Sequence, residues 1–223
     1  MKVDAVVFDM DGVLFDSETL VLRSWECIAE KHHFEGVRTL CHQCLGSNAQ
    51  DAKRKFMAYY GEDFPYAAYK AEMSAQFQAF VQQGELQLKP GVLEALSYVR
   101  DRQLPAALAS STRTPVVQAQ LGLYDLAPYF QVILGGDQVE HGKPEPDIYL
   151  AACRALGVDP SKAVAIEDSY NGIRSAAAAG CIPVMIPDQL PPTAEMQTLS
   201  YLILPDLYAW IDWMKGEGEH ASL

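Results

Sequence analysis

Short apolar runs recur along the chain and predict the strands of a parallel β-sheet. The first run covers residues 3–8 and is apolar at nearly every position, rather than at every second one. That pattern is typical of a strand that is buried on both faces. Similar runs follow at residues 104–109, 131–134, 163–166 and 182–186.

Helical patterns separate the later runs. Residues 91–102 carry apolar side chains at helical spacing and follow Pro90. Residues 146–156 begin with a proline, and residues 171–179 end at Gly180. Proline at the start and glycine at the end are common helix boundaries. Strands that alternate with helices predict an α/β fold with a doubly wound, mostly parallel sheet and a Rossmann-like core.

The strand pattern disappears between residues 17 and 84. A helical stripe begins there at Leu20, and a third helix follows Pro65. Between them, a second helix is expected to start at Ser47 or Asn48, which are suitable N-terminal caps. We interpret residues 17–84 as an inserted all-helical domain and as a candidate lid.

The domain organisation follows from these elements and from the length of the chain. The protein has 223 residues, of which 49% are apolar. That is enough for one sizeable core and a smaller insert. We therefore expect a catalytic core formed by residues 1–16 and 85–223, and a helical cap formed by residues 17–84.

The charge of the chain limits its partners. Lys and Arg number 17 and Asp and Glu number 29, so the net charge is −12. An acidic surface repels nucleic acids and anionic membranes, so we expect neither as a partner. A small anionic substrate remains compatible, because a metal or a local cation can reverse the field inside one pocket. We expect a monomer.

The termini and the cysteines bear on the compartment. No apolar run approaches the roughly 18–20 residues of a membrane span, and no signal-peptide pattern opens the sequence, so we expect a cytoplasmic protein. Five cysteines do not suggest a disulfide framework. Cys41 and Cys44 resemble half of a zinc site. Because a second Cys-x-x-Cys pair is absent, ordinary thiols are the favoured interpretation.

Two carboxylates follow the first predicted strand. Asp9 and Asp11 are two residues apart, so their side chains leave an extended chain on the same side. Gly12 then permits a tight turn or a close approach to a ligand. Open α/β sheets bind ligands at the carboxyl ends of their strands, which is where these residues lie.

Polar side chains also follow later strands. Residues 110–112 read Ser-Ser-Thr, which suits a phosphate contact, a helix cap, or both. Lys143 lies in a proline-rich loop, and Glu167 and Asp168 follow the strand at residues 163–166. Buried acids at these ends require counter-charge, which Lys143 and a divalent cation would provide. Oxygen ligands favour Mg²⁺.

Taken in order, these segments resemble the motifs of a known family. The four motifs of the haloacid dehalogenase superfamily of phosphatases are similar to Asp9-Met10-Asp11-Gly12-Val13, Ser110, Lys143-Pro144-x-Pro146-Asp147 and Glu167-Asp168. The longer pieces 11–18 and 167–173 look like the β-phosphoglucomutase-like branch, which has a helical cap. The resemblance extends over residues 9–174.

The resemblance implies a role for each motif residue. Asp9 would attack phosphorus and form an aspartyl-phosphate. Asp11 would protonate the leaving oxygen and then activate the water that hydrolyses the intermediate. Ser110 and Lys143 would hold the oxygens of the transferred phosphoryl group.

The resemblance also implies the metal and substrate contacts. The metal ligands would be Asp9, the backbone carbonyl of Asp11, and Asp168, with Glu167 in support. The expected substrate contacts are Ser111, Asn171, Gly46, Ser47 and Asn48.

Two positions depart from phosphosugar mutases of this branch. Val21 and Ala49 stand where such mutases are expected to carry a His and an Arg in the cap. Arg23 and Lys70 are other cations for that task, although a solvated helix face is the simpler interpretation of both.

We therefore expect a Mg²⁺-dependent phosphatase that hydrolyses a small phosphorylated metabolite, with a sugar phosphate as the first choice. The alternatives are a phosphosugar mutase of the β-phosphoglucomutase type and a non-catalytic phosphate-binding protein on the same fold. A receiver-type signalling domain is rejected, because it is far shorter and does not carry its phospho-acceptor on the first strand.

Overall fold

The computed structural model describes residues 2–44 and 49–220, with side chains to residue 216. The chain divides into two compact units. Met1–Leu14 and Lys89–Leu223 form the α/β unit, and Phe15–Leu88 forms the helical unit. The expected boundaries were residues 17 and 84.

A six-stranded sheet forms the centre of the α/β unit in the described part of the chain. Each strand is parallel to its neighbours, in the order β3-β2-β1-β4-β5-β6. The strands are β1 (Ala5–Phe8), β2 (Ala106–Ala109), β3 (Val132–Leu134), β4 (Ala163–Glu167), β5 (Ile182–Met185) and β6 (Leu202–Ile203). The predicted doubly wound α/β fold is confirmed, with a sheet that is parallel throughout.

Register aligns the ends of the central strands. Val6 of β1 lies opposite Ala106 of β2 and Val164 of β4. Asp9 continues this pairing beyond β1, because its N–H donates to the carbonyl of Ile166 at 3.0 Å. The carboxyl ends of β1, β2 and β4 therefore lie side by side.

Alternate residues of β1 face opposite layers of helices. Ala5 and Val7 pack in one buried cluster with Ile148 of the helix that follows the Lys143 loop. Phe8 points the other way, where its ring lies 5.9 Å from that of Trp210 in edge-to-face contact. This burial on both faces explains why β1 is apolar at each position.

Six helices cover the sheet in the described residues. They are α5 (Val92–Asp101), α6 (Thr114–Gly122), α7 (Asp147–Leu156), α8 (Tyr170–Ala178), α9 (Ala194–Leu199) and α10 (Leu207–His220). The side chain of Ser169 caps α8 by accepting from the N–H of Gly172. The six-residue α9 and the two-residue β6 were not predicted, because neither is long enough to show a periodic pattern.

The helical unit contains four helices in its described residues. They are α1 (Ser17–His32), α2 (Val37–Cys44), α3 (Ala49–Tyr60) and α4 (Tyr66–Gln82). An aromatic cluster holds them together, with the ring of Trp25 4.5 Å from that of Phe56. Three helices were predicted, and α2 was missed.

The missed helix contains the cysteine pair. Cys41 and Cys44 lie one turn apart on α2, and Cys41 packs in the apolar core of the helical unit. Burial raises the pKa of Cys41 to about 12. The five cysteines are free thiols. Of the helices described here, none is both long enough and apolar enough to cross a membrane.

Candidate active site

Four charged side chains meet at the carboxyl ends of the central strands. Asp9 follows β1, Glu167 ends β4, and Asp168 comes next. Lys143 arrives from the loop before α7. Exposed fractions of 6% for Asp9, 7% for Lys143, 0% for Glu167 and 9% for Asp168 show that water is largely excluded from these groups.

Lys143 is the centre of this cluster. Its ammonium nitrogen lies 2.6 Å from Asp9 Oδ1 and 2.5 Å from Glu167 Oε1. It also donates to the carbonyl oxygen of Ala109, the last residue of β2, at 2.9 Å. An ammonium group has three protons, so these partners use its full donor capacity and fix its position.

The carboxylate of Glu167 is held on both oxygens. Oε1 accepts from Lys143 and from the hydroxyl of Tyr149, the latter at 2.7 Å. Oε2 accepts from the N–H of Ser169 at 3.4 Å and from its hydroxyl at 3.2 Å. Gly172 of α8 lies against this carboxylate so closely that a Cβ there would overlap it.

The cluster contains more negative than positive charge. Burial, opposed by Lys143 and reinforced by Glu167, holds the pKa of Asp9 well above its usual range. Burial alone lowers the pKa of Lys143, but Asp9 and Glu167 outweigh it, so that pKa lies above its ordinary value. Lys143 is therefore an ammonium, and one such charge cannot balance three buried carboxylates.

A divalent cation fits this imbalance. Oxygen atoms of Asp9, Glu167 and Asp168 lie within 4.8 Å of one another, the one such group of potential metal ligands among the described residues. The donors are all carboxylate oxygens, which suits a hard cation such as Mg²⁺. The zinc-type ligands Cys41 and Cys44 are not part of any such group in the described chain.

Gly12 forms the wall beside Asp168. Its φ of +77° is left-handed, and a Cβ at this position would lie 2.5 Å from the carboxyl carbon of Asp168. Glycine is therefore required at this position for two reasons, the left-handed backbone conformation and the close approach of Asp168.

Asp11 is held by the segment after β2. The hydroxyl of Thr112 donates to Asp11 Oδ2 at 2.9 Å. The N–H of Thr112 donates to the hydroxyl of Ser110 at 3.0 Å, and Ser110 is itself fully buried. The two predicted motifs thus meet through Thr112, which the sequence placed among the hydroxyls after β2 without predicting its contact to Asp11.

The remaining predicted site residues are less closely connected. Ser111 is exposed. Asn171 lies in the first turn of α8 and accepts a hydrogen bond from Arg174 at 3.0 Å. Gly46, Ser47 and Asn48 lie outside the described residues. Tyr149, which contacts Glu167, was missed, because on sequence it is one more apolar position on the buried face of a helix.

Comparison with known proteins identifies the family. The sequence model described as "haloacid dehalogenase-like hydrolase" matches residues 3–180, which include all four motifs. The chain belongs to this family of hydrolases. The family predicted from the motifs is therefore confirmed, and the enzyme class, a phosphoric monoester hydrolase, is supported by relatives named as phosphatases.

Individual relatives of this haloacid dehalogenase-like hydrolase include phosphatases and mutases. The Phosphorylated carbohydrates phosphatase of Thermotoga maritima is 34% identical over 79% of this chain and 82% of its own length. The Beta-phosphoglucomutase of Bacillus subtilis is 29% identical over 81% of each chain. The crystal structure of CbbY from Rhodobacter sphaeroides in complex with phosphate aligns with a TM-score of 0.74 and 27% identity, covering 92% of this chain and 94% of that one.

Proposed function

We propose that this haloacid dehalogenase-like hydrolase is a Mg²⁺-dependent phosphatase of a small phosphorylated sugar, and that it works through an aspartyl-phosphate on Asp9. The observation that carries the proposal is the buried Asp9 carboxylate, held by Lys143 beside Asp168. A nucleophile, a fixed cation and a group of oxygen ligands are the parts that phosphoryl transfer requires.

Asp9 is the proposed nucleophile. One of its carboxylate oxygens forms a bond to phosphorus while the bond from phosphorus to the sugar oxygen breaks. As Asp9 bonds to phosphorus, the Lys143 proton that it accepted becomes available to an oxygen of the transferred group, where negative charge accumulates. Because Ala109 and Glu167 hold the ammonium in place, little reorganisation is needed as the reaction proceeds.

Asp11 is the proposed acid and base. It donates a proton to the departing sugar oxygen, and it later takes a proton from the water that attacks the aspartyl-phosphate. That second attack releases inorganic phosphate and restores the Asp9 carboxylate. The hydrogen bond from Thr112 fixes the Asp11 carboxyl group for both proton transfers.

Asp9 and Asp168 are the proposed side-chain ligands of Mg²⁺, with the backbone carbonyl of Asp11. When bound, the cation neutralises the phosphoryl oxygens and the excess carboxylate charge. Glu167 has both oxygens engaged by protein donors, so we assign it the supporting position.

The proposed substrate class rests on the relatives. The relative that is 34% identical is named for phosphorylated carbohydrates. The bound phosphate in the CbbY structure shows that a protein of this fold binds phosphate, the anion that the proposed reaction releases. A sugar phosphate therefore remains the first choice, and Ser111 and Asn171 remain proposed contacts.

Phosphatase activity is favoured over mutase activity by the helical unit. Val21 packs against its apolar core, and Ala49 is an exposed residue at the start of α3. Neither can bind a second phosphate as a cation does. Arg23 is paired with Glu85 at 2.6 Å and lies over the ring of Phe80, so its guanidinium is engaged within the helical unit.

The test is a panel of phosphorylated sugars and polyols, assayed for released phosphate with Mg²⁺ and after exhaustive chelation. The proposal expects turnover of at least one compound with Mg²⁺ only. A protein that binds phosphate but turns over nothing on the panel supports the non-catalytic alternative.

The mutase alternative needs its own assay. β-Glucose 1-phosphate is supplied with catalytic glucose 1,6-bisphosphate, and both glucose 6-phosphate and free phosphate are followed. The proposal expects free phosphate to appear in step with substrate loss. Isomerisation with little free phosphate would favour the mutase instead.

A further inference from the structure

We propose that Tyr149 is a positioning residue for the reaction, and that its hydroxyl acts through Glu167 to hold the Lys143 ammonium at Asp9. The inference rests on the proposed function, because it concerns the same site. It adds a residue that lies behind the reacting groups and outside the four motifs.

Hydrogen bonds connect Tyr149 to the reacting carboxylate through Glu167 and Lys143. Its hydroxyl donates to Glu167 Oε1 at 2.7 Å, and the same oxygen accepts from Lys143 at 2.5 Å. Lys143 in turn lies 2.6 Å from Asp9. Three hydrogen bonds, through Glu167 and Lys143, thus connect the tyrosine to the nucleophile.

The ring of Tyr149 also contacts Lys143 directly. The ammonium nitrogen lies 5.1 Å from the centre of the tyrosine ring, within the range of a cation–π contact. The tyrosine ring therefore contacts Lys143, while the tyrosine hydroxyl donates to Glu167. Phenylalanine would retain the first contact and lose the second.

Burial makes the hydroxyl consequential. Tyr149 has no exposed surface, and a buried hydroxyl without a partner is unfavourable. Glu167, also without exposed surface, cannot replace the lost donor with water. Its remaining donors are Lys143 and Ser169, so removing the hydroxyl leaves Oε1 with Lys143 as its one observed donor.

Loss of the Tyr149 hydroxyl is expected to change the position of the Lys143 ammonium. A Glu167 oxygen that has lost one donor attracts Lys143 more strongly, away from Asp9 and from the phosphoryl group. Preorganised charge is effective only at the position where negative charge develops in the transition state. The expected result is slower phosphoryl transfer with an intact fold.

The test is a double-mutant cycle on kcat, measured per active site counted by burst titration with an aryl phosphate. Tyr149→Phe is made in the wild-type protein and in Glu167→Gln, which breaks the ion pair to Lys143. In the wild-type background kcat is expected to fall about tenfold. In the Glu167→Gln background the same change is expected to alter kcat less than about twofold.

Tyr208→Phe is the matched control. It also removes a tyrosine hydroxyl that donates to a glutamate, Glu94, but Tyr208 lies at an exposed position of the α/β unit. It should leave kcat unchanged. Tyr149→Met, which removes the ring contact to Lys143 as well as the hydroxyl, is run in parallel. It should lower kcat at least as much as Tyr149→Phe, so that the conclusion does not depend on how one variant folds.

The outcomes separate this inference from the proposed function. Wild-type protein without phosphatase activity contradicts the proposed function. Active wild-type protein with Tyr149→Phe at the wild-type rate, or with the same loss in both backgrounds, contradicts the role of Tyr149 alone. Calorimetric titration with Mg²⁺ is the second readout. Tyr149→Phe should change the dissociation constant of Mg²⁺ less than about twofold, because Tyr149 acts through Glu167 on Lys143 and not on the proposed metal ligands. A larger change would contradict that assignment.

Discussion

Replacing Gly12 by alanine separates backbone strain from damage to the metal site. Gly12 has a φ of +77°. An alanine in this left-handed region is destabilised by about 1–2 kcal/mol. In a chain of this length, that corresponds to a fall in Tm of roughly 2–8 °C.

The second effect of Gly12→Ala comes from Asp168. The new Cβ would lie 2.2 Å from Asp168 Oδ2, and ordinary contact begins at 3.4 Å, so the carboxylate must retreat by about 1.2 Å. A misplacement of about 1 Å at a reacting centre can lower the rate about 100-fold. We therefore expect kcat/KM to fall about 100-fold and Mg²⁺ to bind at least about tenfold more weakly.

Gly180→Ala is the matched control for this prediction. Gly180 has the same φ of +77°, but a Cβ there would meet nothing within 4 Å. It should show a comparable fall in Tm with unchanged Mg²⁺ affinity and kcat/KM. Calorimetric titration with Mg²⁺ and a phosphate-release assay make the comparison. Equal Mg²⁺ affinity in the two variants would refute the assignment of Asp168 as a ligand.

Four further predictions follow from the same site. Lys143→Met leaves Asp9 and Glu167 buried without their counter-ion and should lower Tm by about 10 °C in a melting experiment, where a change below about 2 °C would contradict the pairing. Thr112→Val should slow alkyl phosphates more than activated aryl phosphates in parallel kcat assays, because only the former need a proton from Asp11; equal slowing would oppose that role. Mg²⁺ at about 100 times its dissociation constant should raise the Tm of the wild type by roughly 5–11 °C but not that of a ligand-deficient variant, as scanning calorimetry would show. Gly172→Ala should destabilise the protein and reduce turnover by displacing Glu167, whereas Gly122→Ala, with nothing near its Cβ, should do neither.

The architecture was largely predictable, because the elements that matter most are long or strongly apolar. β1 is buried on both faces, and α5 and α7 follow prolines, so their patterns are visible in the sequence alone. β6 has two residues, too few for a clear period. The eight-residue α2 does carry helical spacing at Val37, Leu40 and Cys41, so this helix could have been predicted. The cysteine pair raised a zinc site as an alternative to ordinary thiols. In the structure, α2 buries Cys41 in the apolar core of the helical unit.

The site was predictable where its residues follow strands. Asp9 and Glu167 lie at strand ends, and parallel strands bring such ends together. Tyr149 could not be found in this way, since its position on a buried helix face suits any large apolar side chain. Only the fold shows that its hydroxyl reaches a carboxylate 18 residues further along the chain.

The most direct test of the central claim is to trap the phosphorylated enzyme. Asp11→Asn protein is mixed with an activated aryl phosphate and Mg²⁺, quenched in acid, and examined by intact mass and peptide mapping. Asparagine cannot activate water, while the aryl leaving group needs little protonation, so the intermediate should accumulate. The account predicts one added phosphoryl group on the peptide that contains Asp9, and none in Asp9→Asn. A phosphoryl group on Ser110 or on another residue, or turnover by Asp9→Asn at the wild-type rate, would contradict it.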